Sequence, residues 1–215
     1  MRPYQHARSS ARGIRPWQDD LAVHEFIDCT KGASADRRHR VVLHHVDLGA
    51  EIVRAVFPDR QDVDALVRSH VTEDLGHAAS LADWFEFCDA DALPRPAPHR
   101  IADGPDGLVR RIMPRLPAAA HPAAHAVCAF LFRPCAFLAH QPERALPLLM
   151  NAVGPLIVRR AFGAPVEAGD GAVVDHGWIA EAAIFTAFGR IPDLGEVVRC
   201  WWSEPKRPAR DEDRP

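Results

Sequence analysis

His70 and Asp74 stand four residues apart in a segment whose apolar residues recur at helical spacing. At about 100° per residue, Val63, Leu66, Val67, His70 and Asp74 share one narrow stripe, the face that must pack inward. An imidazole and a carboxylate on such a face need partners, because burying an isolated charge costs roughly several kcal/mol. They can satisfy each other, as a pair that only fixes helix register, or they can hold a metal ion. With residues 34–57 read as one helix, the same arithmetic turns His45 inward beside Val41, Leu48, Ile52 and Val56. It sets His44 and His39 at the edges of that face and leaves Arg40, Asp47, Glu51 and Arg54 on the wet side. A short connection at 59–61 folds the next helix back along this one. His45, His70 and Asp74 are therefore expected to meet, joined by His39 or His44 and by His6 or His24.

Imidazole and carboxylate donors suit Zn, Mn, Fe or Ni better than Mg or Ca. Such an ion lowers the pKa of its bound water toward about 7 and polarises a phosphoryl or carbonyl oxygen. A metal-dependent hydrolase is thus the first functional reading, with Glu73 and Asp47 as the spare carboxylates for general-base work. The alternative is a non-catalytic module in which the cluster holds a structural ion or a small-molecule ligand. An open coordination position over the cluster favours the enzyme, and a closed four-ligand site favours the structural role.

The elements that must position these residues are helical. Periodicity near 3.6 dominates and strand-like alternation is nearly absent. Helices are expected near 3–11, 17–28, 34–57, 62–75 and 80–88, and again near 122–139, 142–162, 174–188 and 193–202. Pro58, Gly76 and the Ser80/Asp83 capping box punctuate the first set, and Gly163 and Gly189 the second. Between the sets lie Leu93-Pro94-Arg95-Pro96-Ala97-Pro98 and Asp103-Gly104-Pro105-Asp106-Gly107, a linker by composition. The organisation expected is a His-rich domain at 1–92, a linker at 93–107, a second helical domain at 108–202 and a disordered tail at 203–215. The fold class expected is all-α, two related antiparallel helical bundles packed together.

Composition excludes several partners. A net charge of −3 gives no basic field for nucleic acid, and the pairs Arg37-Arg38, Arg110-Arg111 and Arg159-Arg160 read as solvated helix faces. No apolar run approaches the ~18 residues of a membrane helix. Five cysteines, an odd number without a Cys-x-x-Cys pair or a signal-peptide pattern, fit free thiols in a reducing cytoplasm. Abundant Ala, Arg, Asp and Pro with scarce Lys suggest a GC-rich bacterial genome. Ser9-Ser10 stand in no nucleophile elbow, and no Gly-rich phosphate loop is present.

The two halves look like one unit written twice. Pro3-x-x-His6-Ala7 recurs as Pro122-x-x-His125-Ala126. Leu43, Gly49, Ile52, Val53, Arg54 and Phe57 recur as Leu148, Gly154, Ile157, Val158, Arg159 and Phe162. Gly76-x-x-x-Ser80-Leu81-x-Asp83 recurs as Gly189-x-x-x-Asp193-Leu194-x-Glu196, with an insertion around Gly169-Asp170-Gly171 changing the offset. On this register His44, His45, Asp47, His70 and Asp74 become Leu149, Met150, Ala152, Ala183 and Ala187. The same helices can then close on a dry core, so the polar residues of the first copy read as a site. His6 alone keeps a partner, His125.

Pro3-x-x-His6-Ala7-x-Ser9-Ser10-Ala11, Val23-His24-Glu25-Phe26, Arg38-His39-Arg40, His44-His45 and His70-Val71-x-Glu73-Asp74-Leu75-Gly76 resemble a family of uncharacterised bacterial domains of unknown function. The resemblance covers roughly the first 90 residues. In that family the glycine is followed by Arg-Ile-Pro. Here Gly76 is followed by His77-Ala78-Ala79, whereas Gly189 is followed by Arg190-Ile191-Pro192. The resemblance carries no activity with it.

Overall fold

The computed structural model describes residues 1–33, 37–138, 140–167, 171 and 173–205. They divide into two compact units. One comprises Met1–Cys88 with the segment from Trp201 onward, and the other Asp89–Cys200. The chain is mostly helical. The strands described are a two-stranded hairpin, β1 (Val166–Glu167) paired antiparallel with β2 (Val173–Val174), beside the expected helices. Among the described residues no helix is long and apolar enough to cross a membrane.

The N-terminal unit contains α1 (Pro3–Ala11), α2 (Gln18–Ile27), α3 (Leu48–Val56), α4 (Val63–Leu75) and α5 (Leu81–Phe85). α4 is its centre and packs against α1, α2 and α3. Val67, Val71, Ile27, Ile52 and Val53 close around it without exposure beyond 0%. Gly76 ends α4 with φ +80°, a left-handed turn that costs glycine nothing. Ser80 and Asp83 then start α5 as a reciprocal capping box, with Asp83 N donating to Ser80 Oγ at 3.2 Å and Ser80 N to Asp83 Oδ2 at 2.6 Å.

The expected helix 34–57 does not form as one piece. Residues 34–36 lie outside the described residues, Arg37–Val42 make 3-10 turns, and the chain is non-helical from His44 to Asp47. The reason is a cap. The Asp47 carboxylate accepts from Leu48 N at 2.8 Å and from Leu81 N at 3.0 Å, so α3 begins after it and the start of α5 is tied to the same side chain. Gly49 lies where a Cβ would strike the carbonyl oxygen of Leu43. Gly49→Ala is therefore expected to destabilise the protein by about 1–3 kcal/mol, the usual cost of overpacking, read as a lowered urea midpoint at unchanged slope.

The second unit contains α6 (Pro98–Ile101), α7 (Gly104–Ile112), α8 (His121–Leu131), α9 (Gly154–Phe162), α10 (His176–Phe188) and α11 (Leu194–Val198). α10 is its centre and packs against α7, α8 and α9. The stretch expected as a linker holds α6 and begins α7. Two of its four prolines, Pro98 and Pro105, sit in the first turns of helices, where a missing N–H is harmless, and Pro94 and Pro96 lie in the non-helical stretch before α6. The expected helix 142–162 breaks like 34–57. Pro142–Leu148 are 3-10, the side-chain Oδ1 of Asn151 accepts from Val153 N at 2.8 Å, and α9 follows.

Before the expected disordered tail, Trp201 is fully buried, and its indole N–H donates to the Trp84 carbonyl at 3.0 Å. Within the tail, Glu204 Oε1 accepts from Arg40 Nη1 at 2.9 Å. Residues 206–215 lie outside the described residues, as do Gly169 and Asp170 of the expected insertion.

Candidate metal centre

Four side chains of the N-terminal unit converge: Asp28, His44, His70 and Asp74, with one donor atom of each within 4.8 Å of the others. Asp28 is the C-terminal cap of α2, and His70 and Asp74 occupy the last two turns of α4. His44 lies in the irregular segment before α3. Its carbonyl oxygen accepts the indole N–H of buried Trp84 at 2.8 Å, which fixes the backbone there. The two histidine side chains are 0% exposed, Asp74 1% and Asp28 5%.

The spacing of the donors is informative. His44 Nε2 is 3.2 Å from His70 Nε2, 3.3 Å from Asp74 Oδ2 and 3.5 Å from Asp28 Oδ1, while His70 Nε2 is 3.7 Å from each carboxylate oxygen. Metal–ligand bonds of roughly 2.0–2.2 Å place tetrahedral donors about 3.3–3.6 Å apart. Five of the six donor–donor distances, at 3.2–3.7 Å, lie close to that range.

Its proton inventory points the same way. At most one Nε2–H from each histidine faces two carboxylates, so acceptors outnumber donors. Asp28 Oδ2, Asp74 Oδ2 and His44 Nδ1 are buried without a hydrogen-bond partner. Arg40 Nη2 lies 2.9 Å from Asp74 Oδ2 as an ion pair, off the direction a hydrogen bond needs. The Met1 amine is 2.9 Å from Asp74 Oδ1. Both carboxylates also sit at helix C-termini, where the macrodipole disfavours a negative charge by about 0.3–1 kcal/mol each. No basic residue occupies the last turn of α4. Two helix ends and two carboxylates make a cluster that could hold a cation.

Protonation states suit ligation. Burial pushes both carboxyls up, but hydrogen bonds outweigh it, from His44 and His70 on Asp28 and from His44 and His6 on Asp74. Both stay ionised, far below the usual carboxylate range. Burial pushes His70 down to about 3 against the pull of Asp28, so its imidazole is neutral. Neutral imidazole with carboxylate is the state a divalent ion binds.

A supporting layer orients His70. Its Nδ1 is 2.9 Å from His24 Nδ1, His24 Nε2 is 3.0 Å from Ser10 Oγ, and Ser10 Oγ reaches Asp20 Oδ2 at 3.3 Å. With Nε2 of His70 on a metal, one tautomer chain satisfies this row: His70 Nδ1–H to His24, then His24 Nε2–H to Ser10. Such outer partners are what hold a ligating histidine in place. His6 stacks on His70 with ring centroids 3.9 Å apart, hydrogen-bonds Glu73 Oε2 through Nδ1 at 2.6 Å and lies 3.4 Å from Asp74 Oδ1.

The residues expected from the sequence are thus placed as follows. His70, Asp74 and His44 come together, with His6 and His24 beside them. His45 does not join. Its Nε2–H donates to Val41 O at 3.0 Å and its Nδ1 accepts from Gly49 N at 2.7 Å, so the ring staples the 3-10 turn to α3. The wheel that turned it inward assumed a continuous helix. His39 is buried but meets His44 only edge-on at 6.1 Å. Asp47 is a helix cap, and Glu73 is engaged by His6, so neither candidate base faces the four donors. Arg40, expected in solvent, turns inward. Asp28 was missed, although His24-x-x-x-Asp28 repeats the spacing of His70-x-x-x-Asp74.

Burial pushes the thiols of Cys128 and Cys135 up to about 12, which disfavours thiolate chemistry at those two positions. A pH dependence follows from the buried histidines. Burial lowers His45 and His24 to about 4 and His70 to about 3, whereas unfolded histidine titrates near ~6.5. Unfolding therefore takes up protons below that value. The stability these rings contribute is complete above pH ~6.5 and is lost as pH falls toward about 4. The urea midpoint of metal-free protein should drop across that window; a flat profile contradicts the assignment.

Residues 1–92 match the model of a family described as a domain of unknown function (DUF6915), and the cluster lies within the matched segment. No curated protein and no solved structure matches the chain.

Proposed function

We propose that the N-terminal unit is a metal-binding module in which Asp28, His44, His70 and Asp74 hold one divalent transition ion, with Zn the best fit and Mn, Fe or Ni the alternatives, and that the ion is structural. The observation that carries this reading is the tetrahedral edge spacing of four buried donor atoms. Closure favours this structural role over hydrolysis. Four protein donors fill a tetrahedral shell, and their side chains are at most 5% exposed, so no position remains for an activated water. A resident ion would complete the unit as its bundle folds, its binding energy adding to folding energy.

The comparison between units supports the same reading if they descend from one helical unit. With α6, the 3-10 turns at Met113–Arg115 and Ala118–Ala120 and the β1–β2 hairpin of the second unit set aside, each runs through two helices, two 3-10 segments, a nine-residue helix, a thirteen-residue helix closed by a left-handed glycine, and a five-residue helix. This order sets α1 against α7 and α2 against α8. Val23-His24-x-Phe26-Ile27 then faces Val127-Cys128-x-Phe130-Leu131, and His6 faces Leu108 rather than the exposed His125. Asp28, His44, His70 and Asp74 face Phe132, Leu149, Ala183 and Ala187. On that register every donor is replaced by an apolar residue, so the fold does not require the donors and their convergence answers to a ligand.

Elemental analysis of untagged protein tests the module. About one ion per chain is expected after zinc loading and dialysis, falling to background in His70→Ala. Background metal in the wild type, or equal metal in the variant, overturns it.

A further inference from the structure

We propose that the second unit carries a binding site for a phosphorylated small molecule, built by Arg100, Arg110, Arg111 and Arg115 around an open pocket of about 610 Å³. That size lies within the range of small-molecule sites, about 300–1,000 Å³. The four guanidinium groups come from α6, from α7 and from the loop after it. Only one has an acidic partner among the described residues: Arg110 Nη2 meets Asp103 Oδ2 at 2.7 Å, with both side chains 63% exposed, a geometry worth little.

The other three are held by neutral oxygens. Arg100 Nη1 donates to Thr186 O at 3.0 Å, Arg115 Nη1 to Thr186 Oγ1 at 3.3 Å, and Arg111 Nη2 to His99 O at 2.7 Å. Two guanidinium groups are thus tethered to one residue of the last turn of α10. Capping the C-terminal end of α10 accounts for Arg100 and Arg115. It does not account for Arg110 and Arg111, which α7 directs to the same pocket. Each tethered guanidinium spends one N–H on its anchor and keeps others. Gathering such cations without balancing carboxylates costs self-repulsion that an anion removes. Guanidinium forks match a phosphoryl group, donating to two oxygens at once. Phe185, 53% exposed, stands on the same wall and offers an apolar face beside the charge. The ligand class is therefore a phosphate ester carrying a flat apolar group. The pair Arg110-Arg111, which reads in the sequence as a solvated face, is one wall of this site.

The site is independent of the metal, and its test does not touch the N-terminal unit. Isothermal titration of the full chain with inorganic pyrophosphate should give saturable binding that weakens about tenfold or more in Arg111→Gln and again in Arg110→Gln/Arg111→Gln. Both residues are exposed, so circular dichroism of the variants should match the wild type. Phe185→Ala should leave pyrophosphate affinity unchanged and weaken phenyl phosphate. No saturable binding by the wild type, or pyrophosphate affinity unaltered in the double variant, overturns the site. Phenyl phosphate binding unaltered by Phe185→Ala overturns the aromatic part of the assignment.

Discussion

Chelation of the zinc-loaded protein is expected to lower the melting temperature of the N-terminal unit by about 10 °C or more. An ion present at a thousandfold its dissociation constant stabilises the state that binds it by about 4 kcal/mol. Each kcal/mol moves a domain of 60–100 residues by roughly 4–8 °C. The cost of removal is concentrated here because the donors stay behind in a dry interior. Two ionised carboxylates at helix C-termini then face only Arg40, the Met1 amine and imidazole rings. Calorimetry with and without zinc reads the shift. In Asp28→Ala the two traces should coincide, since the shell then lacks a donor. Identical traces in the wild type contradict a resident ion.

The second large effect is a failure of additivity. Asp74→Ala alone should cost about 3–5 kcal/mol in metal-free protein, because it leaves Arg40 with Glu204 as its acidic partner and removes the carboxylate that lies against His6 and His44. His70→Ala should cost a comparable amount by leaving His24 Nδ1 and His44 Nε2 unpaired. The triple variant His44→Leu/His70→Ala/Asp74→Ala places at these positions the residues that the second unit holds, Leu149, Ala183 and Ala187. It should be less stable than Asp74→Ala by no more than about 1 kcal/mol, since the polar groups that needed one another leave together. Urea denaturation of the variants measures this. Costs that simply sum would mean that the groups act separately and that the apolar set is no alternative core.

How much of the centre was legible follows from which helices are regular. α4 is an uninterrupted helix, so the stripe bearing His70 and Asp74 could be read from spacing alone. The segment before α3 is not. There the wheel chose His45 over His44, and only the Asp47 cap explains why the neighbouring ring turns inward instead. Asp-Leu-Gly-Ala at 47–50 carried that signal, an N-cap residue within an apparently continuous apolar pattern. Asp28 was legible in principle through its spacing from His24, but it falls at a helix end, where periodicity weakens. The Trp84–His44 and Arg40–Asp74 contacts join residues more than 30 apart in sequence, which local patterning cannot reveal. The prolines of 93–107 read as a linker because composition does not distinguish a helix start from a loop.

Cobalt substitution tests the central claim most directly. Co(II) added to metal-free protein should bind at about one ion per chain and develop the intense visible bands of four-coordinate cobalt. His44→Ala should abolish them and His45→Ala should not, although the latter also loosens α3. Failure to take up cobalt, a weak six-coordinate spectrum, or bands that survive loss of His44 would contradict the assignment of Asp28, His44, His70 and Asp74 as a closed tetrahedral site.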